Sequence, residues 1–220
     1  ACIAALDAKT GRATAWNPGA DDAVVAFALN GRTLYVGGAF YNVGRKFRRF
    51  LAALDLDSDS ASTWNMGVDQ SPYNFYYPPG VADLEIAGNT LFIGGRFTKI
   101  GGQQRSALAA VDLSTRLVTA WAPVVERRSS VSPAVISDLA VRQTTLYACG
   151  LFRSLGGRVM SGDGSVGTVD TGTGLATAWD PRPNGDVGAL ALSDDAIYLG
   201  GSFTSIGQEW VWRNGLAALN

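Results

Sequence analysis

Residues 34–40 read Leu34-Tyr-Val-Gly-Gly-Ala-Phe40, and a similar stretch occurs three more times later in the chain. The other copies are Leu91-Phe-Ile-Gly-Gly-Arg-Phe97, Leu146-Tyr-Ala-Cys-Gly-Leu-Phe152 and Ile197-Tyr-Leu-Gly-Gly-Ser-Phe203. Each copy is rich in the β-branched and aromatic residues that strands favour. Four copies spaced by about fifty residues indicate an internal repeat.

A tryptophan and an aspartate also recur in every copy, with the aspartate nine residues before the tryptophan. The tryptophans are Trp16, Trp64, Trp121 and Trp179, and the aspartates are Asp7, Asp55, Asp112 and Asp170. A functional site rarely recurs in every copy of a repeat, so we predict structural roles for both sets. We expect the indoles to pack between neighbouring sheets and the carboxylates to accept N–H bonds at turns.

Each repeat supplies four short strands, which we call A (around Phe27), B (residues 34–40), C (residues 3–7 and their equivalents) and D (ending at Trp16). Four-stranded repeats of this length are typical of the antiparallel blades of a β-propeller, an all-β fold. The prediction is therefore one propeller region over residues 1–220. Its repeat units run approximately over 1–18 (partial), 19–66, 67–123, 124–181 and 182–220 (partial).

The number of blades is left open by the sequence. The four repeats either close a four-bladed ring or form a fragment of a larger ring. A fifth C strand at Leu216-Ala-Ala-Leu219 duplicates the one at Ile3-Ala-Ala-Leu6. A closed four-bladed ring has no place for both strands, so the duplication favours a larger ring.

The composition of the 220 residues argues against several functions. With 47% hydrophobic residues the chain can bury a core, and its formal net charge of −1 does not attract nucleic acid. No apolar run approaches the ~20 residues that span a bilayer, so we expect no direct membrane insertion. The absence of histidine and the two cysteines, Cys2 and Cys149, argue against a zinc site and against the commonest general base. The cysteines are compatible with a disulfide or with two buried thiols.

The strand at residues 34–40, the Leu-Ala-Ala-Leu-Asp at 51–55 and the Ala-Trp-Asn-Pro at 15–18 together resemble the delta-sixty repeats of bacterial β-propellers. The resemblance covers essentially the whole chain and is best at Phe97-Thr-Lys-Ile-Gly-Gly102 and Phe152-Arg-Ser-Leu-Gly-Gly157. Related repeats occur in fungal cortical polarity-marker proteins. The resemblance implies a propeller, an extracellular or cell-surface location and no agreed activity.

The chain departs from the family pattern in some copies. The trailing arginine of the pattern is present as Arg48 and Arg105, is Met160 in the third copy, and is displaced to Arg213 in the fourth. Asp59 and Arg116 replace a turn glycine that the other copies keep at Gly11 and Gly174. Quinoprotein propellers carry a similar aspartate-to-tryptophan motif that is one residue shorter. The longer spacing in all four copies argues against a quinone enzyme, because an added residue turns a strand side chain to the opposite face.

Metal and catalytic sites are weakly indicated. The run Asp55-Leu-Asp-Ser-Asp59 resembles half of a calcium loop but lacks the glycine expected at Ser60 and the glutamate expected at Met66. We interpret it as a solvated turn; calcium is the one cofactor left open. The carboxylates considered for a glycan-active site are Asp21, Asp22, Asp69, Glu126, Asp163 and Glu209. No flanking motif singles out a pair of them as glycosidases require, so we predict no catalytic residue.

The connections between strands B and C and between D and A are longer and more varied than the A–B and C–D turns. Variable loops on a regular scaffold often carry binding residues. The candidate binding residues are Tyr73, Phe75, Tyr76, Tyr77, Trp210, Trp212, Arg45 and Arg48. The alternatives are aromatic rings that close the core and a solvated basic loop.

These features favour a non-catalytic interaction or structural module outside the cell, presenting its long loops to protein chains of a larger assembly or to a surface glycan. The alternative is a glycan-active hydrolase or lyase with carboxylates on the same face.

Overall fold

The computed structural model describes residues 2–69, 80–128, 133–161, 165–209 and 211–220. Within these ranges the backbone forms 22 strands and no helix. In chain order the strands are β1 (Val24–Asn30), β2 (Thr33–Gly38), β3 (Asn42–Val43), β4 (Lys46–Phe47), β5 (Leu51–Asp55), β6 (Val81–Ala87), β7 (Thr90–Gly95), β8 (Lys99–Ile100), β9 (Gln103–Gln104), β10 (Leu108–Asp112), β11 (Leu117–Val118), β12 (Val125–Glu126), β13 (Val135–Arg142), β14 (Thr145–Leu151), β15 (Ser154–Leu155), β16 (Arg158–Val159), β17 (Ser165–Asp170), β18 (Val187–Leu192), β19 (Ile197–Gly201), β20 (Ser205–Ile206), β21 (Val211–Trp212) and β22 (Leu216–Leu219).

Four antiparallel sheets form the body of the protein, and we number them along the chain. Sheet 1 is β1-β2-β5, sheet 2 is β6-β7-β10-β11, sheet 3 is β13-β14-β17 and sheet 4 is β18-β19-β22. In sheets 1 and 3 the fourth strand is reduced to single bridges, Leu54 with Ala61 and Val169 with Ala176. The all-β prediction is confirmed, whereas no closed propeller is detected among the described residues.

The two small residues in each B strand allow two close approaches. A Cβ on Gly38 would lie 2.1 Å from the carbonyl oxygen of Ala23, where strand β1 enters the sheet with a register shift. A Cβ on Gly37 would lie 2.4 Å from the side chain of Val81, which belongs to sheet 2. Gly38 therefore leaves room for a neighbouring backbone in its own sheet, and Gly37 leaves room for a side chain of the next sheet.

Successive sheets pack face to face through their apolar residues. Strand β1 contacts β6, β6 contacts β13, and β13 contacts β18. One buried cluster lies between each pair of successive sheets. We call the face of a sheet that contacts the following sheet its trailing face and the opposite face its leading face. The leading face of sheet 1 is partly covered by Ile3 and Trp16, from a short N-terminal hairpin closed by a bridge between Leu6 and Ala13.

A short hairpin follows each B strand. These hairpins are β3-β4, β8-β9, β15-β16 and β20-β21. The segment that enters each sheet pairs with the hairpin of the same sheet, as in the bridges of Ala20 with Val43 and of Asp69 with Lys99. The long connections therefore lie side by side at one end of the sheets, the hairpin end. The short turns lie at the opposite end, the turn end, where Leu56 N–H donates to Arg32.

Candidate functional site

Equivalent positions on the four hairpins carry exposed side chains. Each is the second residue of the outer hairpin strand and pairs with the first residue of the inner strand. We call these four residues the hairpin row: Phe47, Gln104, Val159 and Trp212. Trp212 is 76% exposed, Phe47 60% and Val159 54%. Three of the four sheets thus present an apolar side chain to solvent at one repeated position, which is how surfaces for apolar partners are built.

A polar residue stands five residues after each tryptophan, at Asp21, Asp69, Glu126 and Asn184, and ties the hairpin to the segment that enters the sheet. Asp21, Glu126 and Asn184 do so through the side chain, and Asp69 through its backbone carbonyl, which accepts the N–H of Thr98 at 2.8 Å. The carboxylate of Asp21 accepts the N–H groups of Tyr41 and Asn42, both at 2.9 Å. Asn184 accepts N–H groups of its own hairpin in the same way, at 2.8 and 2.9 Å. Such ties hold the hairpin row on a fixed base.

Three of the six carboxylates considered for a glycan-active site stand at the tie position. Asp21, Asp69 and Glu126 sit one per sheet in successive repeats, so the fold does not bring them together as a pair. Glu126 accepts the hydroxyl of Ser154 at 2.7 Å, and Asp69 lies 3.5 Å from Arg49. Asp22 and Glu209 are exposed, and Asp163 lies outside the described residues. The shared spacing from tryptophan is visible in the sequence and was not recognised there.

Arginines anchor the outer strand of the hairpins to the D strand. Arg48 is buried, and its guanidinium donates to the carbonyl oxygens of Phe47 and Ser62 at 2.7 and 2.6 Å. Arg105 donates to the equivalent carbonyl of Thr119 at 2.6 Å. In the third copy, where Met160 replaces the arginine of the family pattern, the guanidinium of Arg158 reaches the same carbonyl position, Thr177 O, at 2.8 Å.

The residues predicted to bind a partner lie in different environments. Arg45 is exposed at the tip of the first hairpin, with a positive φ of 61° and a guanidinium 4.0 Å from Asp59. Trp212 is exposed in the hairpin row, whereas Arg48 has its guanidinium bound to backbone. Five further candidates lie outside the described residues, namely Tyr73, Phe75, Tyr76, Tyr77 and Trp210.

A second aromatic group adjoins Phe47 in the first hairpin. The guanidinium carbon of Arg49 lies 5.8 Å from the ring centre of Tyr41 and 5.0 Å from that of Phe50. The two rings are themselves 5.4 Å apart. Tyr41 is 45% exposed, so this cation–π group borders the hairpin row and adds amphipathic surface to it.

The repeated tryptophans lie between sheets. The indole of Trp64 meets the ring of Tyr35 edge to face at 5.4 Å, and its Nε1 donates to the carbonyl of Arg116 in the next sheet at 3.2 Å. Trp121 makes the same two contacts, with Phe92 at 5.1 Å and with Asp170 O at 3.1 Å. Trp16 donates to Asp55 O at 3.3 Å, and Trp179 meets Tyr147 at 5.5 Å.

The repeated aspartates cap the C–D turns. Asp7 accepts the backbone N–H of Thr10 at 2.7 Å, and Asp112 accepts that of Thr115 at the same distance. Hydrogen bonds from Thr10 lower the pKa of Asp7, as they stabilise the ionised carboxylate. Asp170 accepts equivalent bonds from Gly172 and Thr173, and Asp55 accepts from Asp57 N–H at 2.7 Å.

The aspartates of the calcium-like run point to different partners. Asp55 accepts a backbone N–H within its turn, and Asp57 is paired with Arg32. Asp59 accepts the N–H of Asn17 at 3.1 Å. In the part of the chain that the structure describes, no group of three or more acidic or cysteine side chains is arranged to hold a metal ion. Both cysteines are free thiols, Cys2 exposed and Cys149 buried.

A pair of carboxyl groups on the A strands was not predicted from the sequence. Asp83 of sheet 2 and Asp138 of sheet 3 are hydrogen-bonded to each other, and both accept the N–H of Leu139, at 2.7 and 2.9 Å. Asp138 also accepts the N–H of Leu190 in sheet 4 at 2.6 Å. The pair therefore ties the A strands of three sheets together.

Burial, followed by the hydrogen bond and the charge of Asp138, raises the pKa of Asp83 to about 7. Burial likewise raises the pKa of Glu85 and of the Cys149 thiol nearby. A proton on Asp83 relieves the repulsion between the two carboxyl groups, so Asp83 keeps its proton until the pH rises to about 7. Its equivalents in sheets 1 and 4 are Ala26 and Ala189, which explains why no repeat pattern marks it.

Comparisons with known proteins give a likeness of fold. No family model matches the chain, and no curated protein matches it. Among solved structures the chain is similar to the crystal structure of the computationally designed Ika4 protein, with a TM-score of 0.50 and 13% identity over 91% of this chain and 92% of that one. The computationally designed Ika8 protein aligns with a TM-score of 0.47 and 14% identity, over 87% of this chain and 46% of that one.

Proposed function

We propose that this protein is a non-catalytic interaction module of the propeller type, which presents the hairpin row to a protein partner. The observation that carries the proposal is the row itself, because Phe47, Val159 and Trp212 are exposed at one repeated position. Hydrogen-bonded ties at the same end hold the hairpins in place, as the two N–H bonds to Asp21 do in the first one. A pre-ordered apolar surface loses little conformational entropy on binding.

A protein partner fits the row better than an isolated sugar. Aromatic side chains contribute much of the binding energy of protein interfaces, and the row places one on sheet 1, Phe47, and one on sheet 4, Trp212. Arg49 over Tyr41 and the exposed guanidinium of Arg45 add the arginine that such interfaces favour. A glycan that stacks on Trp212 alone is the competing ligand, and the experiment below separates the two.

The propeller organisation and an extracellular location are part of the proposal. Support for the first comes from four repeats of one sheet that stack in chain order, with one indole between neighbouring sheets. Such repetition buries faces that a single sheet leaves exposed. Support for the second is the resemblance to repeats of secreted and cell-surface proteins. The described residues contain no helix that is long and apolar enough to cross a membrane.

The alternative is a glycan-active hydrolase or lyase. Glycosidases hold their two carboxyl groups about 5 Å or more apart, so that the sugar or a water molecule fits between them. Asp83 and Asp138 are hydrogen-bonded to each other, and the carboxylates at the tie position belong to different sheets. Neither arrangement provides that geometry. Release of sugar from a panel of polysaccharides by the purified chain would reinstate the alternative.

Photo-cross-linking at matched positions tests the interaction surface. A photoreactive amino acid is introduced singly at Phe47, Val159 or Trp212, and as controls at Leu117 or Leu175, which are 66% and 65% exposed near the turn end. We expect the three hairpin positions to give one common protein adduct on cells that produce the chain, and the controls to give none.

Competition then shows whether the adduct depends on the row. An excess of unlabelled chain should suppress it, whereas the Phe47→Ala/Trp212→Ala double variant should not. Equal labelling at both ends, or equal competition by the double variant, would contradict the proposal. Binding of the wild-type chain to arrayed glycans that is lost in Trp212→Ala and kept in Phe47→Ala would assign a sugar instead.

A further inference from the structure

Sheet 4 exposes residues whose equivalents are buried in the other sheets. On the trailing face of sheet 1, Tyr35 is 7% exposed and Leu51 1%, because sheet 2 covers them. The equivalent residues of sheet 4 are Tyr198, which is 43% exposed, and Leu216, which is 67% exposed. The set of exposed residues on this trailing face is Ala189, Ala191, Tyr198, Leu216 and Ala218. None of them carries a charge.

The leading face of sheet 1 is open at its A strand. Phe27 is 52% exposed and Leu29 60%, although Leu84, at the position of Phe27 in sheet 2, is 3% exposed. The N-terminal hairpin of residues 3–16 covers only the other half of this face, through Ile3 and Trp16. That hairpin consists of a C and a D strand, and among the described residues no A or B strand pairs with it.

The two open ends are complementary in strands and in sequence. Sheet 4 has A, B and C strands, whereas residues 3–16 have C and D strands. The two C strands differ at one position, since Ile3-Ala-Ala-Leu6 corresponds to Leu216-Ala-Ala-Leu219. Strand β19 pairs with Leu216–Leu219 through its backbone, with Tyr198 opposite Ala218. Ile3–Leu6 in the place of Leu216–Leu219, in the same register, would put Ala5 opposite Tyr198.

We propose that a second copy of this chain docks on sheet 4, where residues 3–16 of the second copy replace β22 beside β19. The resulting sheet has four strands. Strands A and B are β18 and β19 of one copy, and strands C and D are residues 3–16 of the other copy. This docking places Trp16 of the second copy against Tyr198, as Trp64 lies against Tyr35. It also covers Ala189 and Ala191 with Phe27 and Leu29 of the second copy.

The occupant is a second copy because the interface required already exists three times within the chain. Sheets 1 and 2, 2 and 3, and 3 and 4 pack through the same repeated positions. The exchange keeps the number of strand pairs beside β19, since one C strand replaces another. It further moves Leu6, which is 63% exposed, into the place of Leu219, which is packed against the cluster between sheets 3 and 4. Displacing β22 exposes Ala217 and Leu219, whereas the docked copy covers the larger side chains of Tyr198, Phe27 and Leu29, and this gain in buried apolar surface favours association.

Sedimentation equilibrium of the 220-residue chain tests self-association. We expect dimers or longer chains whose fraction rises with protein concentration. Tyr198→Glu and Phe27→Glu, one on each open face, should each weaken association by about tenfold or more. The matched control Leu117→Glu changes an equally exposed leucine near the turn end and should leave it unchanged. A chain that stays monomeric at all concentrations, or associates equally well with Tyr198→Glu, overturns the proposal.

A disulfide tests the exchanged register. In a Cys2→Ser background, Ala5→Cys with Tyr198→Cys places two thiols at directly opposed positions of the exchanged pair, within disulfide reach. Oxidation should give covalent dimers or longer chains. The control pair, Tyr198→Cys with Ala218→Cys, is opposed within one chain and shows that position 198 can be oxidised. A disulfide of the Ala5→Cys pair within one chain, or none when the control pair forms, overturns the proposal.

Discussion

The indole Nε1 of Trp64 in sheet 1 donates to the carbonyl oxygen of Arg116 in sheet 2 at 3.2 Å. The same ring meets Tyr35 of its own sheet edge to face. One side chain therefore packs on one sheet and is hydrogen-bonded to the next, and its equivalents Trp16 and Trp121 donate across sheets in the same way. This double contact fixes both the spacing and the orientation of neighbouring sheets.

Removing the indole N–H separates its hydrogen bond from its packing. Trp64→Phe keeps a ring against Tyr35 and leaves the Arg116 carbonyl without its donor, so we expect a loss of about 1 kcal/mol in the free energy of unfolding. Trp64→Ala should cost about 3–5 kcal/mol, because it also leaves a cavity. Denaturant titration measures both. Trp212→Phe, at an exposed position, serves as the control, and an equal loss there would contradict the inter-sheet role.

Arg116 adopts a left-handed backbone conformation with φ of 62°, and the equivalent residue in the C–D turn of sheet 3 is Gly174, with φ of 75°. A residue with a Cβ is strained in this region, whereas glycine is not. We therefore expect Arg116→Gly to stabilise the protein by about 1 kcal/mol, since its carbonyl still accepts from Trp64. The reverse change, Gly174→Ala, should destabilise by a similar amount. Unfolding midpoints that move in the opposite directions would refute this account of the turn.

Arg48 and Arg45 should respond differently to truncation. Arg48→Ala removes the donor to the Ser62 carbonyl, so we expect a loss of about 1–3 kcal/mol in the free energy of unfolding. Arg45→Ala removes an exposed side chain 4.0 Å from Asp59 and should change stability by less than about 0.5 kcal/mol. Thermal unfolding of the two variants measures both losses of stability. Similar losses for both would show that Arg48 is not the anchor of its hairpin.

The carboxyl pair makes stability depend on pH. The pKa of Asp83 is about 7 in the folded protein and 3.8 in the unfolded chain. Folding at a pH between these two values is therefore coupled to the uptake of a proton by Asp83. The contribution of Asp83 to stability is therefore full below pH 3.8, declines as the pH rises, and reaches its minimum above pH 7.

Asp83→Asn removes this decline, because its amide accepts from Leu139 and donates to Asp138 as the protonated acid does. At pH 8 we expect the variant to be more stable than the wild type by on the order of 2 kcal/mol, and at pH 4 to be equally stable. Unfolding titrations at both pH values measure the difference. Asp22→Asn, at an exposed position, controls for the loss of one charge. A difference that is constant from pH 4 to pH 8 would rule out a proton shared by the pair.

The pattern at residues 34–40 was sufficient to predict short strands and an all-β fold, whereas the expected four strands per repeat are complete only in sheet 2. Alternation and turn residues act locally, so they are legible in the chain. The reason for its two glycines could not be derived from the sequence. Gly38 lies against Ala23 within its own sheet, and Gly37 lies against Val81 of the next sheet. The sequence shows a glycine at each of these two close contacts, but it does not show which distant residue the glycine meets.

The sites were predicted less well than the fold. Arg48 belongs to the pattern of the repeat and serves the backbone, whereas Phe47 beside it is exposed in the hairpin row and was not singled out. The tie position was not predicted, although Asp21 and its equivalents follow each tryptophan at a constant distance in the sequence. Whether a residue of a repeat faces solvent, backbone or a neighbouring sheet depends on packing that the spacing does not encode.

The sequence by itself determined that the chain is built from copies of one β-sheet unit, since strand patterns, turn glycines and the aspartate turns depend on neighbouring residues. Only the tertiary structure decided that Asp83 is buried against Asp138, which raises the pKa of Asp83, and that Tyr198 lacks the cover that Tyr35 has. The physical reason is that pKa shifts and burial arise from which sheets lie against each other. Identical side chains in successive copies then meet different surroundings.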